Sequence, residues 1–502
     1  MNPKPIRVRI APSPTGNCHV GTARTALYNY LFAKQTGGTF ILRVDDTDSL
    51  RNTLESEQGV FEGLRWIGLS WDEGPDVGGA YGPYRQSERL GIYAERAHEL
   101  LEKDLAYECF CSPEDLEAER KQQMARKEDP HYGGHCANLT AAERETLRAK
   151  GIKPSIRLRV RPGTVGFDDS IRGRVEQDAG IMGDFVIIKS NGIPVYNFGT
   201  VIDEYEMQIS HVIRGAEHIS NTFPQVLIYE AFGWEMPVFA HLVLMLNPDK
   251  TKISKRKGAV YLGDFAAMGY LPEALLNFCA FLGWTPGGIS EEILSLTELQ
   301  EMFSLQRCTQ SNAVFDQVKL DWMNGMWIRR LSAAELTSRV MPFMIDAGLI
   351  NVPVKSDEIR LEALLELIHE RLPRLDEAPE TLAYFYTDWP AEEVDLDLLT
   401  ASKSNRTKED IYSVLQESIK LLRSNSFTAA ALEEQFKALA ASLEWKLGDL
   451  LMPLRVAVTN RKISPPLFTT MEVLGLEKVS QRLANASAAL LGNAPADRSG
   501  HE

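Results

Sequence analysis

Apolar and polar residues alternate at the start of the chain. Ile6, Val8 and Ile10 are separated by Arg7 and Arg9, a period of two that predicts a strand. A loop broken by Pro12, Pro14 and Gly16 follows, and Ala23, Leu27, Tyr30 and Leu31 then fall at helical spacing. Gly37-Gly38 ends that helix, and Thr39 to Val44 reads as a second strand. Strand, helix, strand at this distance predicts a βαβ unit with a parallel sheet. Glu62 to Asp72 and the helical run Glu88 to Leu101 continue the alternation.

From about Tyr107 to Asn191 the texture changes. A charged helical stretch, Pro113 to Asp129, and a strand pattern, Ser155 to Val160, predict an insertion that splits the α/β domain. The α/β pattern resumes at Val195 to Ile202, with another strand at His211 to Arg214 and a helix from about Thr222 to Phe232. Beyond residue 260 the apolar spacing is helical, as in Pro272 to Leu282, Ile359 to Leu372, Lys408 to Leu422, Ala429 to Leu443 and Leu474 to Leu491. The C-terminal third therefore reads as all-α, ending in a small, polar tail.

With 502 residues, 44% of them apolar, the chain can bury several cores. The N-terminus has no apolar signal region, and no run reaches the ~18 apolar residues of a membrane span. Six scattered cysteines are too few for a disulfide framework, so the expectation is a cytoplasmic protein. The net charge of −15 argues at first against a nucleic-acid partner. Phosphate contacts depend on local patches, however, and two exist. Lys250 to Lys257 holds five Lys or Arg in eight residues, and Lys153 to Arg174 is also basic. Either could equally be a solvated surface, so charge leaves the question open.

Two segments carry chemistry. In Ala11 to Thr22 a loop precedes a helix, so backbone N–H groups and the helix dipole can meet a phosphate. Gly16 and Gly21 allow close approach of a ligand, and His19 sits where an imidazole can donate to a phosphate oxygen. The P-loop lysine is absent, which disfavours a P-loop NTPase. A turn with a helix-capping histidine is an equal alternative. Some 230 residues later, Lys252, Lys255, Arg256 and Lys257 surround Ser254, a cationic loop suited to a phosphoryl-type transition state or simply a surface charge run.

Taken together, these segments resemble the "HIGH" and "KMSKS" motifs of class I aminoacyl-tRNA synthetases, with His19 and Gly21 at the first and third positions of the former. The wording Ala-Pro-Ser-Pro-Thr-Gly, then His-Val-Gly-Thr-Ala, is similar to that of bacterial glutamyl-tRNA synthetases. So are Gly63 to Leu69, Gly82 to Arg89, Val212 to Arg214, Phe315 to Asn324 and Leu447 to Thr459. The resemblance covers nearly the whole chain in order.

The resemblance implies a Rossmann-like α/β catalytic domain split by an α+β insertion and followed by an all-α C-terminal half. The expected parts are catalytic halves at 1–106 and 193–250, an acceptor-binding insertion at 107–192 and a stem-contact domain at 251–326. A helical anticodon-binding region at 327–490 and a flexible tail at 491–502 complete the chain. It also implies a cytoplasmic monomer that uses ATP with Mg2+ to activate L-glutamate and passes it to the 3′ end of tRNA(Glu). His19 and Lys255 would be catalytic, and Gly16, Gly21, Glu217, Lys252, Ser254 and Lys255 would hold ATP. Arg9, Ser13, Asp45, Tyr196 and Arg214 would hold glutamate, the arginines because a guanidinium pairs with a carboxylate in two-pronged fashion.

Three points depart from that pattern or extend it. Asp45 stands where the family usually has glutamate, one methylene longer, so either the backbone sits closer to the substrate ammonium or a water bridges the gap. Cys109, Cys111 and Cys136 match three ligands of a zinc site found in some members, of pattern Cys-x-Cys, 24 residues, Cys-x-His. The fourth position is Asn138, a poor zinc ligand, and spacing supports neither His131 nor His135, so zinc stays open at this stage. Arg371 aligns with an arginine that reads the third anticodon base in discriminating members, or is a plain exposed helix arginine.

Competing expectations are an enzyme that also charges tRNA(Gln), a glutaminyl-tRNA synthetase and the short paralogue that glutamylates a tRNA base. A small nucleotidyltransferase and a non-catalytic tRNA-binding relative complete the set. The Pro12-Ser13-Pro14 loop and the helical C-terminal half speak against most of these.

Overall fold

The computed structural model describes residues 4–492, apart from 15, 48–51, 129, 252, 254–258, 289, 402–405 and 424–425. The chain divides into two compact units, Met1–Asn324 and Gly325–Glu502.

The first unit is built on a βαβ unit: β1 (Arg7–Ile10), α1 (Val20–Thr36) and β2 (Thr39–Leu42). The two strands pair in parallel, Arg7 opposite Thr39 and Ile10 opposite Leu42. Gly37 caps α1 in the left-handed conformation, at φ 65°, and its N–H reaches the carbonyls of Ala33 and Lys34. A Cβ on Gly38 would stand 2.6 Å from the Ile6 carbonyl oxygen, so only glycine lets the chain turn this tightly into β2.

The alternation in β1 predicts a strand with one polar face, and here the structure differs. All four residues are buried. A parallel strand is covered on both sides, so its charges must be paired inside. Arg7 binds both carboxylate oxygens of Glu73, at 2.8 and 2.9 Å, while Arg9 meets Glu204 at 2.6 Å.

After α2 (Leu54–Trp66) and α3 (Leu90–Glu102) the chain enters a mixed region. There β3 (Ala106–Cys109), β4 (Ser155–Leu158) and β7 (Val186–Ile188) form an antiparallel sheet. Two helices, α4 (Pro113–Ala125) and α5 (Ala141–Ala149), belong to this region, each opened by a capping box. Between β4 and β7 lies the hairpin β5 (Thr164–Asp169) and β6 (Gly173–Asp178). Although it falls within the segment read as an insertion, this hairpin extends the sheet of β8 (His211–Gly215) and β9 (Val238–Leu242), in the order β6-β5-β9-β8. Asp169 at the end of β5 pairs in parallel with Phe239.

Residues 195–202, where the α/β pattern resumes, open a helix, α6 (Tyr196–Glu206). Beside β8 and β9 lies α7 (Ile219–Phe232). The Ser210 amide donates to the Arg7 carbonyl at 2.9 Å, which sets β1 alongside the start of β8. The core beneath includes Tyr93, Phe167, Phe198, Val212, Val226 and Phe239. Later in the unit, α8 (Leu262–Ala267) and α9 (Pro272–Phe281) begin its helical part.

The second unit is helical, with Ala333–Asp346, Lys355–Glu366, Glu377–Tyr386, Lys408–Arg423, Ala429–Ser442 and Leu447–Thr459 as its longer helices. The pattern from Leu474 to Leu491 predicts a helix, and Leu476–Leu490 is one, starting just after Gly475 at φ 85°. The pattern from Ile359 to Leu372 ends early, at Glu366, before a short 3-10 turn, His369–Arg371. Arg482 is buried in this unit and donates to the carbonyls of Val458 (2.7 Å), Tyr384 (2.5 Å) and Thr387 (2.8 Å). Among the described residues, no helix is long and apolar enough to cross a membrane.

Candidate active site

The first motif lies where β1 hands over to α1, at the carboxyl end of parallel strands, where open α/β sheets hold ligands. His19 is the N-cap of α1, and its Nδ1 accepts the Gly21 amide at 2.9 Å. Because Nδ1 accepts, the neutral ring carries its proton on Nε2. Burial lowers the pKa of His19, against the opposing pull of Glu217, so the ring is neutral at pH 7 with one N–H to give. The capping and phosphate-donor readings are thus compatible, since they use different nitrogens. A Cβ on Gly21 would sit 3.1 Å from that Nδ1, which accounts for glycine there. Gly16 lies at φ 153°, a conformation that other residues rarely adopt.

The segment just after the second motif is stitched to the first. Val20 donates to Val260 (2.8 Å), Leu262 donates to Cys18 (2.9 Å), and His19 bridges Tyr261 between them. Lys252, Ser254 and Lys255 themselves lie outside the described residues.

Arg9 and Arg214 stand at the same end of the sheet and affect each other electrostatically. Arg9 is tied directly to Glu204, whose second oxygen accepts from Tyr229 at 3.2 Å. Arg214 differs. Its Nε donates to His241 Nε2 (3.1 Å), and its Nη2 donates to Thr222 Oγ1 and Gln225 Oε1 (both 2.7 Å). All three acceptors are neutral. Its Nη1 is buried with no partner among the described residues. Burial pushes the Arg214 pKa below the usual guanidinium value, although it remains a cation. A buried guanidinium with an open edge and no carboxylate in direct contact has the chemistry to receive one.

Tyr196, at the first turn of α6, places its hydroxyl 3.3 Å from His218 Nδ1. Glu217 is exposed in the one-turn 3-10 helix that follows β8, 4.0 Å from His218 Nε2. Ser13 is exposed on the first loop. Asp45 is 7% exposed, and both its oxygens accept from Arg43, at 2.7 and 3.2 Å. Its amide donates to the Pro12 carbonyl (3.1 Å), so the backbone of this loop is drawn onto the first motif. Arg9, Tyr196, Arg214 and Glu217 therefore gather at one place, with His19 near Glu217.

Comparison with known proteins gives the family. Residues 5–322 match the family model of the class I tRNA synthetases (E and Q), catalytic domain, and residues 335–487 match an anticodon binding domain. The glutamate--tRNA ligase of Carboxydothermus hydrogenoformans is 43% identical over 486 residues, covering 96% of this chain and 99% of that one. The chain belongs to the glutamyl-tRNA synthetase family. The glutamate--tRNA ligase of Bacillus subtilis is 42% identical over 485 residues, again covering 96% and 99%. Among solved structures, the glutamate tRNA ligase from Elizabethkingia meningosepticum, in complex with its amino acid, superposes with a TM-score of 0.87. It shares 33% identity and covers 97% of this chain and 100% of that one.

The cysteine set of this family member forms a separate small cluster in the insertion, with Tyr107, Phe110 and Tyr132. The Sγ atoms of Cys109, Cys111 and Cys136 lie within 4.8 Å of one another, those of Cys111 and Cys136 at 3.7 Å. The Tyr132 hydroxyl oxygen is 3.4 Å from Cys109 Sγ and 3.6 Å from Cys111 Sγ. Ligands about 2.3 Å from a tetrahedral zinc ion stand about 3.7 Å apart, so three sulfurs and one phenol oxygen fit such an ion. The Cys136 amide donates to the same oxygen (2.9 Å) and the Arg157 guanidinium lies 3.8 Å over the ring, while burial and the neighbouring cysteines push the phenol well above its usual range. Sequence reasoning missed Tyr132 because it looked for nitrogen or sulfur. His135 instead contacts Glu119 at 3.0 Å.

Four cations of the basic run Lys153 to Arg174 are bound to partners within the chain, while Lys153, Arg161 and Arg174 are exposed. Arg157 donates to the Asp184 carbonyl, Arg159 to Asp104 and the Ala137 carbonyl, Arg172 to the His241 carbonyl, and Arg174 to Glu176. Arg371 is exposed in the second unit's 3-10 turn. Sequence reasoning also missed Glu204, Thr222, Gln225, His241 and Asp169. A lone histidine inside the apolar run Val238 to Leu246 was the one available signal for them.

Proposed function

We propose that this chain joins L-glutamate to tRNA(Glu) at the expense of ATP. An α-carboxylate oxygen of glutamate attacks the α-phosphorus of Mg2+-ATP, the bond to the β-phosphate oxygen breaks, and pyrophosphate leaves. The terminal ribose hydroxyl of tRNA then takes the glutamyl group and AMP departs. The observation that carries this reading is Arg214, buried, open at Nη1 and without a carboxylate in direct contact.

Arg9, Arg214 and Tyr196 hold the carboxylates of glutamate, and Asp45 meets its ammonium with the lone pairs that Arg43 leaves free. Ser13 lines the same pocket. Glutamine is rejected because its amide leaves the guanidinium unpaired. The neutral His19 ring donates from Nε2 to the phosphate, where charge builds up, and Lys255 supplies a second positive group. Gly16, Gly21, Glu217, Lys252 and Ser254 complete the ATP site. Cys109, Cys111, Cys136 and Tyr132 hold a structural zinc ion that fixes the insertion, taken to meet the tRNA acceptor end. Residues 251–326 meet the stem, and 327–490 meet the anticodon through Arg371 among others. The enzyme acts as a cytoplasmic monomer.

ATP–pyrophosphate exchange with and without tRNA tests the first step, with glutamate-dependent exchange as the expected result. No exchange under either condition would leave a tRNA-binding protein without catalysis. Charging of separate tRNA(Glu) and tRNA(Gln) isoacceptors then decides discrimination.

A further inference from the structure

Arg214 is held from behind by two residues to which no role has yet been given. His241 on β9 is fully buried, and its Nδ1 lies 2.7 Å from Asp169 Oδ2. Asp169, also buried, comes from β5, the hairpin strand that reaches out of the insertion into this sheet. Its Oδ1 accepts from the amides of Ile171 and Arg172 (both 2.9 Å), and Oδ2 also accepts the His241 amide at 3.0 Å. Every neighbour of this carboxylate is therefore a donor.

That donor pattern fixes the tautomer of His241. Asp169 is an acceptor, so Nδ1 carries the proton. Nε2 is then a bare lone pair, facing the Arg214 Nε–H at 3.1 Å. The opposite tautomer would set two N–H groups against each other. With Nε anchored to His241, and Nη2 to Thr222 and Gln225, the guanidinium plane has no rotation left, and Nη1 is the edge that remains.

We propose that Asp169 and His241 are positioning residues of the glutamate pocket. They lock the plane of Arg214 so that its Nη1 edge meets the substrate's side-chain carboxylate. This rests on the glutamate-activating reading above. Asp169 thereby tethers Arg214 through a neutral ring, so no carboxylate occupies the substrate's place.

The substitutions follow from the atoms. In Asp169→Asn the amide oxygen stays at the Oδ1 position, where two backbone N–H groups point. Its NH2 then faces His241 Nδ1 and drives the proton to Nε2, against Arg214, as an amide in place of a triad aspartate selects the wrong tautomer; it also costs the His241 amide its acceptor. His241→Asn keeps a polar group toward Asp169 but gives Arg214 no acceptor. His241→Gln reaches the Nε2 position with a carbonyl oxygen and restores one.

The experiment is steady-state pyrophosphate exchange in the presence of tRNA, with KM measured separately for glutamate and ATP, alongside thermal melting. Asp169→Asn and His241→Asn are expected to raise the glutamate KM at least tenfold, with the ATP KM within twofold of wild type. His241→Gln is expected to return the glutamate KM to within threefold. Equal rises in both KM values, or an unchanged glutamate KM in variants that melt like wild type, overturn the proposal. Should the variants not fold, the nitrogen-15 shifts of His241 in the wild-type protein decide: a proton on Nδ1 supports it and one on Nε2 overturns it. A wild-type chain with no glutamate-dependent exchange would instead sink the underlying function, which keeps the two failures apart.

Discussion

Replacing Arg214 by methionine separates a receptor from a structural arginine, because the two roles predict opposite balances of stability and activity. Burying a guanidinium without a carboxylate in direct contact costs several kcal/mol even after relaxation. Methionine removes that cost but strands Gln225 Oε1, at about 1–3 kcal/mol, while Thr222 Oγ1 and His241 Nε2, 3.1 Å apart, pair with each other. The two sums oppose each other and are of similar size, so folding stability is expected to change by less than about 2 kcal/mol. Binding has no such compensation. A charge-assisted bond to the one open nitrogen, Nη1, contributes about 1.5–3 kcal/mol. At about 1.4 kcal/mol per decade, kcat/KM for glutamate should fall by about 10- to 100-fold. Pyrophosphate exchange over a glutamate series measures this, and melting curves with and without glutamate measure the other half. Wild type should gain about 2.7 kcal/mol at a hundred times Kd, and the variant clearly less at the same concentration. A variant that melts far below wild type yet keeps kcat/KM for glutamate within threefold would show that Arg214 serves the fold instead.

Three further expectations rest on other residues. Lys255→Ala should cut pyrophosphate exchange more than tenfold, and an unchanged rate would remove it from the catalytic set. Protein purified without a His-tag should carry about one zinc per chain by elemental analysis, and Tyr132→Phe should lose that zinc to a chelator at least tenfold faster, since a structural site needs four donors. Zinc absent from wild type, or equal loss rates, would return the cysteines to simple packing. Burial next to Arg214 pushes His218 from 6.5 to about 4, so between those values the unfolded chain binds a proton that the folded chain refuses. Stability is therefore full above about 6.5 and declines as pH falls toward 4. His218→Asn should flatten the acid side of the melting-temperature profile, and parallel profiles would exclude His218.

The periodicities carried the βαβ unit and the helical second unit, because an amphipathic face repeats over many residues and survives small errors of register. They failed where a charge was paired far away in sequence. Arg7 and Arg9 look like the wet face of a strand until Glu73 and Glu204 arrive, and the latter is 195 positions from Arg9. For the same reason the hairpin that delivers Asp169 was read as part of an insertion: a single pair, Asp169 with Phe239, joins it to the sheet of β8 and β9. Motif residues such as His19 and Arg214 were legible because their chemistry is local. The residues that aim them were not.

This distinction explains why the two pocket arginines differ. Arg9 has Glu204 in direct contact at 2.6 Å, so a substrate carboxylate must share it with an acid already in place. Sharing weakens the pull, but Glu204 keeps Arg9 charged and fixed in the empty pocket. Arg214 has its acid at one remove, with a neutral imidazole between them. The interposed ring, oriented by Asp169, anchors the guanidinium while leaving its near side open. A carboxylate at that open side gains a desolvated, charge-assisted contact with Nη1, whereas an amide oxygen gains only a weaker, neutral one. Selectivity for an acid over its amide therefore depends less on the presence of an arginine than on what keeps its near side free, and moving the negative charge of Asp169 into direct contact should abolish it. A Thr222→Asp variant places a carboxylate on Arg214 Nη2, where Thr222 Oγ1 now accepts at 2.7 Å. Its expected signature is a large rise in glutamate KM with glutamine activation little changed, so that the ratio of the two kcat/KM values collapses toward one. Retention of the wild-type ratio would mean that the open edge of Arg214 does not set the choice.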